Sequence, residues 1–98
     1  MHDLAYYNGK FMPIDKVRIS PLDRGFLFAD GVYEVVPVYN KNPFFFREHL
    51  NRLYRSLSRI RLDPCITKDE LKSCIEELIK QTRHSHQIIY VQITRGVA

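Results

Sequence analysis

The chain has 98 residues, 45 % of them hydrophobic and 27 % charged, with four glycines and five prolines. That is the make-up of one small folded domain, and it excludes collagen-like, coiled-coil and disordered classes. Fifteen basic against eleven acidic residues leave a formal charge of +4, which permits a phosphate or nucleic-acid ligand without arguing for either.

No apolar run approaches the roughly 18 residues of a membrane span, and Met1-His2-Asp3-Leu4 lacks the features of a signal peptide. Two cysteines, Cys65 and Cys74, are too few for a disulfide scaffold and lack zinc-ligand spacing. The expectation is a soluble cytoplasmic protein with no membrane partner.

Leu4-Ala5-Tyr6-Tyr7, Asn8-Gly9 and Lys10-Phe11-Met12 read as a hairpin, since Asn-Gly takes the positive φ angles of a tight turn. Residues 13–22 carry Pro13 and Pro21 around Val17-Arg18-Ile19, which reads as a short edge segment. Residues 22–31 read as a loop with Gly25 and Gly31 as its special backbone positions. Residues 32–39 are β-rich, and Pro37, which cannot donate to a ladder, predicts an edge or bulge near the strand's end. Asn40-Lys41-Asn42 makes a turn, and Pro43-Phe44-Phe45-Phe46 is expected to return as a second strand.

Two helices follow. Leu50, Leu53, Tyr54, Leu57 and Ile60 recur at helical spacing. Thr67-Lys68-Asp69-Glu70 is a capping box opening a helix striped by Leu71, Cys74, Ile75, Leu78 and Ile79. Asp63-Pro64 separates the two, and residues 87–94 form the last strand. This order predicts an α+β fold, a mainly antiparallel sheet with two helices on one face. The chain stops at Gly96-Val97-Ala98 with no terminal helix or polar tail, which reads as a cut.

Several side chains invite chemistry. His49, next to Glu48, either closes the first turn of its helix or points into a cleft. Arg52, Arg55 and Arg59, set against the leucine stripe, make either a solvated face or a phosphate contact, because a guanidinium offers a fixed fork of donors. Tyr54 is the only aromatic in that helix, so nucleic acid is disfavoured. Tyr33 and Glu34 alternate onto opposite faces of their strand, beside the Asp30-Gly31 turn, where a polar site is expected. His84-Ser85-His86 has no carboxylate or cysteine partner nearby in sequence, so no metal site is expected. The lysines at 10, 16, 41, 68, 72 and 80 lack the apolar flanks of a desolvated Schiff-base lysine.

The string Asp23-Arg24-Gly25-Phe26-Leu27-Phe28-Ala29-Asp30-Gly31-Val32-Tyr33-Glu34-Val35 strongly resembles the signature of class IV, pyridoxal-phosphate-dependent aminotransferases. Arg47-Glu48-His49-Leu50-Asn51-Arg52-Leu53 and Tyr90-Val91-Gln92-Ile93-Thr94-Arg95-Gly96 resemble the family's next two blocks, and Tyr7-Asn8-Gly9 its opening. Four blocks in register cover essentially the whole chain. Gly31 to Tyr39 is most similar to the D-amino-acid (D-alanine) branch, and Ala29 stands where glycine is common, which should crowd the turn slightly.

The resemblance implies an N-terminal small domain over residues 1–98, with pyridoxal 5'-phosphate as cofactor. It implies that Arg52 binds the cofactor phosphate, that Tyr33 holds the substrate α-carboxylate, and that Glu34 and His49 sit at cleft-side positions without an assigned role. The implied reaction moves an amino group between D-alanine and a 2-oxo acid such as 2-oxoglutarate, in a homodimer. The Schiff-base lysine and the carboxylate that protonates the pyridine nitrogen are implied to lie in a second domain beyond the third block. No catalytic residue is then expected in this chain, which alone should be inactive and should not retain the cofactor. Alternatives are the same fold acting on branched-chain L-amino acids or aminodeoxychorismate, a stand-alone basic module binding phosphate or nucleic acid, or a remnant that binds nothing.

Overall fold

Alternation along one strand separates the two sides of this protein, whose residues 3–97 are described by a computed structural model. In strand β3 (Gly31–Tyr39), Val32, Glu34, Val36 and Val38 point to one side, and Tyr33, Val35, Pro37 and Tyr39 to the other. Glu34, Val36 and Val38 are buried, whereas Tyr33 and Tyr39 are exposed. Strand β5 (Gln87–Thr94) pairs antiparallel with β3 from Gly31↔Thr94 to Val38↔Gln87. Ile89, Val91 and Ile93 therefore join the buried side. Strand β4 (Asn42–Pro43) pairs only with Val38 and Tyr39 on the other edge, giving the order β4-β3-β5.

The expected edge at Pro37 is present. Its carbonyl accepts from the Phe44 amide at 2.8 Å, and the N and O of one strand residue face the same edge. The missing N–H thus faces the side where β4 gives out. The strand expected over 43–46 ends at Pro43. Phe45 is left-handed (φ 52), which breaks the extended alternation, and Phe46 opens helix α2 (Phe46–Arg59). The Phe45 ring packs edge-on against Phe44 with centroids 4.3 Å apart.

Helix α2 buries Leu50, Leu53 and Leu57, the centre of the expected stripe. Helix α3 (Lys68–Gln81) buries Leu71, Ile75 and Ile79. Its capping box is complete: the Glu70 amide donates to Thr67 Oγ1 at 3.1 Å, and the Thr67 amide to Glu70 Oε1 at 2.9 Å. These six residues join Val36, Val38, Leu62 and Ile89 in one core, so both helices lie on one face of the three-stranded sheet. The predicted α+β class is found. A separate two-stranded sheet, β1 (Leu4–Tyr7) with β2 (Lys10–Pro13), leans on α3. Its Asn8-Gly9 turn has φ angles of 48 and 90°, as a two-residue hairpin requires.

Two expectations fail between the hairpin and β3. After a 3-10 turn at Ile14–Lys16, Val17-Arg18-Ile19 forms no strand, because no described neighbouring strand offers it a ladder; the Arg18 Nη1 group donates to the carbonyls of Asp15 and Val17 instead. The 22–31 loop contains the short helix α1 (Arg24–Phe28), capped by Asp23 Oδ1 accepting from the Gly25 amide at 2.8 Å. Gly25 and Gly31 are required for space rather than for positive φ. A Cβ on Gly25 would lie 2.5 Å from Thr94 Cγ2, and one on Gly31 would lie 2.6 Å from the Ile93 carbonyl oxygen.

The left-handed position in this loop is Ala29, at φ 53. An L-residue loses about 1–2 kcal/mol there, part of which glycine's larger unfolded-state entropy offsets. Ala29→Gly is expected to raise unfolding stability by about 0.5–1 kcal/mol. Urea denaturation checks this, and an unchanged or lower midpoint would refute it.

Candidate functional site

Helix α2 runs back along β3, so its turns stand over successive inward residues of the strand. The rise from Arg52 to Ile60, about 12 Å, matches the strand length from Glu34 back to Asp30, about 13 Å. This places two polar centres under the helix.

At the first, the Glu34 carboxylate is 6 % exposed among valines. Two α2 side chains one turn apart reach it. Arg52 donates from Nε to Glu34 Oε2 at 2.7 Å and from Nη2 to Oε1 at 2.8 Å, a bidentate pair. His49 Nδ1 lies 2.8 Å from the same Oε1. The Arg52 guanidinium, then the His49 ring, hold the carboxyl below its ordinary value of 4.5 against the opposing effect of burial. Glu34 in turn raises Arg52, which stays charged.

The Arg52 side chain is 60 % exposed. It opens onto a groove of about 310 Å³ lined by Phe45, Glu48, His49, Arg52 and Arg55. The carboxylate uses Nε and Nη2 and leaves Nη1 without a Glu34 contact. Arg52 is therefore no part of a solvated face turned from the sheet. Arg55 joins it at the groove and Arg59 does not. No lysine lines the groove. Lys41 Nζ caps the end of α3 through the Ile79 and Thr82 carbonyls, and Lys68 donates to Asn51.

The second centre stands at the Asp30-Gly31 turn, where a polar site is expected and the polar groups found form an ion cluster. Arg95 Nε and Arg24 Nε donate to Asp30 Oδ2 at 2.9 and 3.2 Å. Arg95, then Arg24, lower the Asp30 carboxyl. Arg95 also donates to the Ile60 and Arg61 carbonyls at the end of α2, which have no helical partners. These groups are spent on one another and tie the loop to the sheet and helix.

Tyr33 lies apart from Glu34, His49 and Arg52, on the outer face. It is 64 % exposed and stacks on Tyr90, with ring centroids 5.9 Å apart and planes 16° from parallel. Tyr90 donates to Gln92 Oε1 at 3.1 Å. Nothing local in the sequence marks Tyr90 as a site residue, because its place beside Tyr33 depends on the β3–β5 register. His86 accepts from the Asn40 amide and His84 lies 3.8 Å from Asp3. Among the described residues, no three His, Cys, Asp or Glu side chains converge as a metal site, and no helix is long and apolar enough to cross a membrane.

Because the folded Glu34 carboxyl titrates below its unfolded value, its contribution to stability is present above about pH 4.5 and is lost as pH falls through the folded value. Glu34→Gln is expected to cost about 1–3 kcal/mol near neutrality and to flatten the acid limb of stability against pH. Urea midpoints measured from neutral to acidic pH test this; parallel curves for the two proteins would contradict it.

The sequence profile of the amino-transferase class IV family matches residues 31–98. Over 94 residues the chain is 40 % identical to the D-alanine aminotransferase of Staphylococcus haemolyticus, covering 96 % of this chain and 33 % of that protein. Over 92 residues it is 39 % identical to the D-alanine aminotransferase of Bacillus licheniformis, covering 94 % and 32 %. Among solved structures, a T.th. branched-chain amino acid aminotransferase complexed with N-(5'-phosphopyridoxyl)-L-glutamate superposes with a TM-score of 0.90 at 25 % identity, over 99 % of this chain and 34 % of that one. The branched-chain amino acid aminotransferase of Escherichia coli shares the fold at a TM-score of 0.89 and 21 % identity, over 98 % and 34 %. The chain thus spans about a third of the length of the relatives it matches. With a profile running from the first residue of β3 onward and relatives matched over nearly all of its length, this chain belongs to the class IV aminotransferase family.

Proposed function

We propose that this chain is the N-terminal domain of a pyridoxal-phosphate-dependent aminotransferase that moves an amino group between D-alanine and a 2-oxo acid such as 2-oxoglutarate. The observation that carries the reading is the Arg52 guanidinium, fixed by Glu34 and open to a groove. The 40 % identity to a D-alanine aminotransferase supports the choice of substrate.

The donor set suits a phosphate monoester. Arg52 and Arg55 outnumber Glu48 at the groove, and a guanidinium matches phosphate oxygens with fixed N–H donors. A volume near 310 Å³ lies at the lower end of ligand pockets, about 300–1,000 Å³. Arg52 would hold the phosphate. When bound, pyridoxal phosphate supplies the electron sink through which an amino acid loses its α-proton and exchanges its nitrogen. Tyr33 holds the substrate carboxylate through its hydroxyl, with the Tyr90 ring restricting its motion. Tyr33 and Arg52 lie on opposite faces of β3, so a ligand reaching both spans that strand's edge. Among the described residues, β4 pairs only with Val38 and Tyr39 and leaves the edge from Gly31 to Val36 uncovered.

The lysine that carries the cofactor belongs, in this reading, to a second domain beyond this chain. The whole protein is then a cytoplasmic homodimer. The exposed Phe26 and Phe28 of α1 and Ile88 and Tyr90 of the outer face are surface that a second domain or subunit would cover. A second reading keeps the site and changes the substrate to a branched-chain L-amino acid; the fold match at a TM-score of 0.90 favours it. Activity of the full-length enzyme with D-alanine against L-leucine separates the two.

Arg52→Ala in the full-length enzyme is expected to weaken pyridoxal phosphate binding by about 1.5–3 kcal/mol, as for a lost hydrogen bond to a charged group. Fluorescence titration measures this, and unchanged affinity would remove Arg52 from the site. The 98-residue chain, mixed with pyridoxal phosphate and borohydride, is expected to give no stoichiometric adduct at a single lysine. Mass spectrometry showing one fully labelled lysine would overturn the inactivity of the isolated domain.

A further inference from the structure

We propose that Glu34 is a positioning residue for Arg52, and that His49 locks the carboxylate which does the positioning; this rests on the phosphate reading of Arg52 given above. By charge alone, Glu34 is adverse. A carboxylate 2.7 Å from the anion-binding guanidinium offsets much of its field and repels a phosphate in the same groove. Nor does the core require it, since an aliphatic residue would continue the row of Val32, Val36 and Val38 without a charge to desolvate. What the carboxylate supplies, and an aliphatic residue cannot, is orientation.

Two parallel bonds, through Nε and Nη2, define the plane and the rotation of the guanidinium. They leave the Nη1 edge as the part Glu34 does not occupy. An arginine that is 60 % exposed otherwise samples many rotamers, and binding an anion would have to order it. Here the ordering is completed when the chain folds, so less of it opposes binding. The carboxylate could itself turn about its last torsion. His49 prevents this from one turn earlier on α2, with Nδ1 at 2.8 Å from the Oε1 that also accepts Arg52 Nη2. The His49 side chain is only 18 % exposed, so packing holds it in place.

Charge and positioning predict opposite signs, which makes the proposal testable on the full-length enzyme freed of cofactor, with inorganic phosphate as the probe. The readouts are ¹⁵N relaxation of the Arg52 Nε–H group without ligand, and phosphate titration followed by NMR. Arg52→Ala is the reference. In the wild type, Arg52 Nε–H is expected to be rigid and phosphate to shift it. In Glu34→Gln, whose amide end opposes one of the Arg52 donors, Arg52 is expected to become mobile. Phosphate affinity should then fall about 2- to 10-fold, the cost of ordering one side chain. His49→Asn leaves the Glu34 charge in place and is expected to loosen Arg52 in the same sense. It carries the test if Glu34→Gln loses the β3–β5 amide pattern.

Phosphate binding that stays equal or tightens in Glu34→Gln, while Arg52→Ala weakens it, would overturn the positioning role and leave the phosphate reading standing. Arg52 remaining rigid in both Glu34→Gln and His49→Asn would do the same. Phosphate binding unchanged in Arg52→Ala would overturn the phosphate reading and the positioning role with it.

Discussion

Glu34 shares its side of β3 with Val32, Val36 and Val38, and a carboxylate taken out of water there costs several kcal/mol unless its charge is met. Arg52 and His49 meet it, and both stand on α2. That requirement fixes how far α2 is slid along the strand. Leu50, Leu53 and Leu57 would pack over the valines in more than one register, since dispersion and hydrophobic burial carry little directional information. A bidentate ion pair tolerates far less displacement. The same contacts that close the core thereby decide where the exposed edge of a guanidinium emerges beside a groove.

A second constraint sits at the other end of the helix. Asp30 gathers Arg24 and Arg95, and Arg95 reaches on to the carbonyls that end α2. The Asp30 carbonyl also accepts from the Arg95 amide, and the Gly96 carbonyl from the Arg24 amide. The short helix α1, the start of β3, the end of β5 and the end of α2 are thus held by one cluster. Gly25 and Gly31 permit it, because Thr94 and the Ile93 carbonyl occupy the space a Cβ would need. Cations at a helix C-terminus are favourable in their own right, so this lock suits the helix as well as the loop.

The pleat divides the candidate site residues between two faces. Inward positions carry Glu34, and outward ones carry Tyr33 and, across the strand pair, Tyr90. A short β4 leaves one edge of β3 uncovered along most of its length among the described residues. An edge of that kind invites another chain segment or a ligand. Tyr33, Tyr39, Phe44 and Phe45 are also exposed.

Local chemistry was legible in the sequence wherever short-range physics decides structure. The Asn8-Gly9 turn, the Thr67–Glu70 capping box, the leucine stripe of α2 and the alternation of β3 each follow from interactions within about four residues. The resemblance of the Arg52 and Tyr33 blocks to a family was legible too. Tertiary contacts decided the rest. Val17-Arg18-Ile19 has β-forming side chains but no ladder partner among the described residues, and Phe45 leaves the strand for a left-handed cap although its neighbours are strand formers. Nothing in the spacing of 34, 49 and 52 says that the three side chains meet, because residues in different elements are brought together by the slide of a helix over a sheet. Nor could spacing foresee that the polar groups at the Asp30-Gly31 turn include two arginines gathered on Asp30. Residue types and periodicity determined which elements form and which faces they bury. Only the packing of those faces decided which charges are paired and which remain free to act.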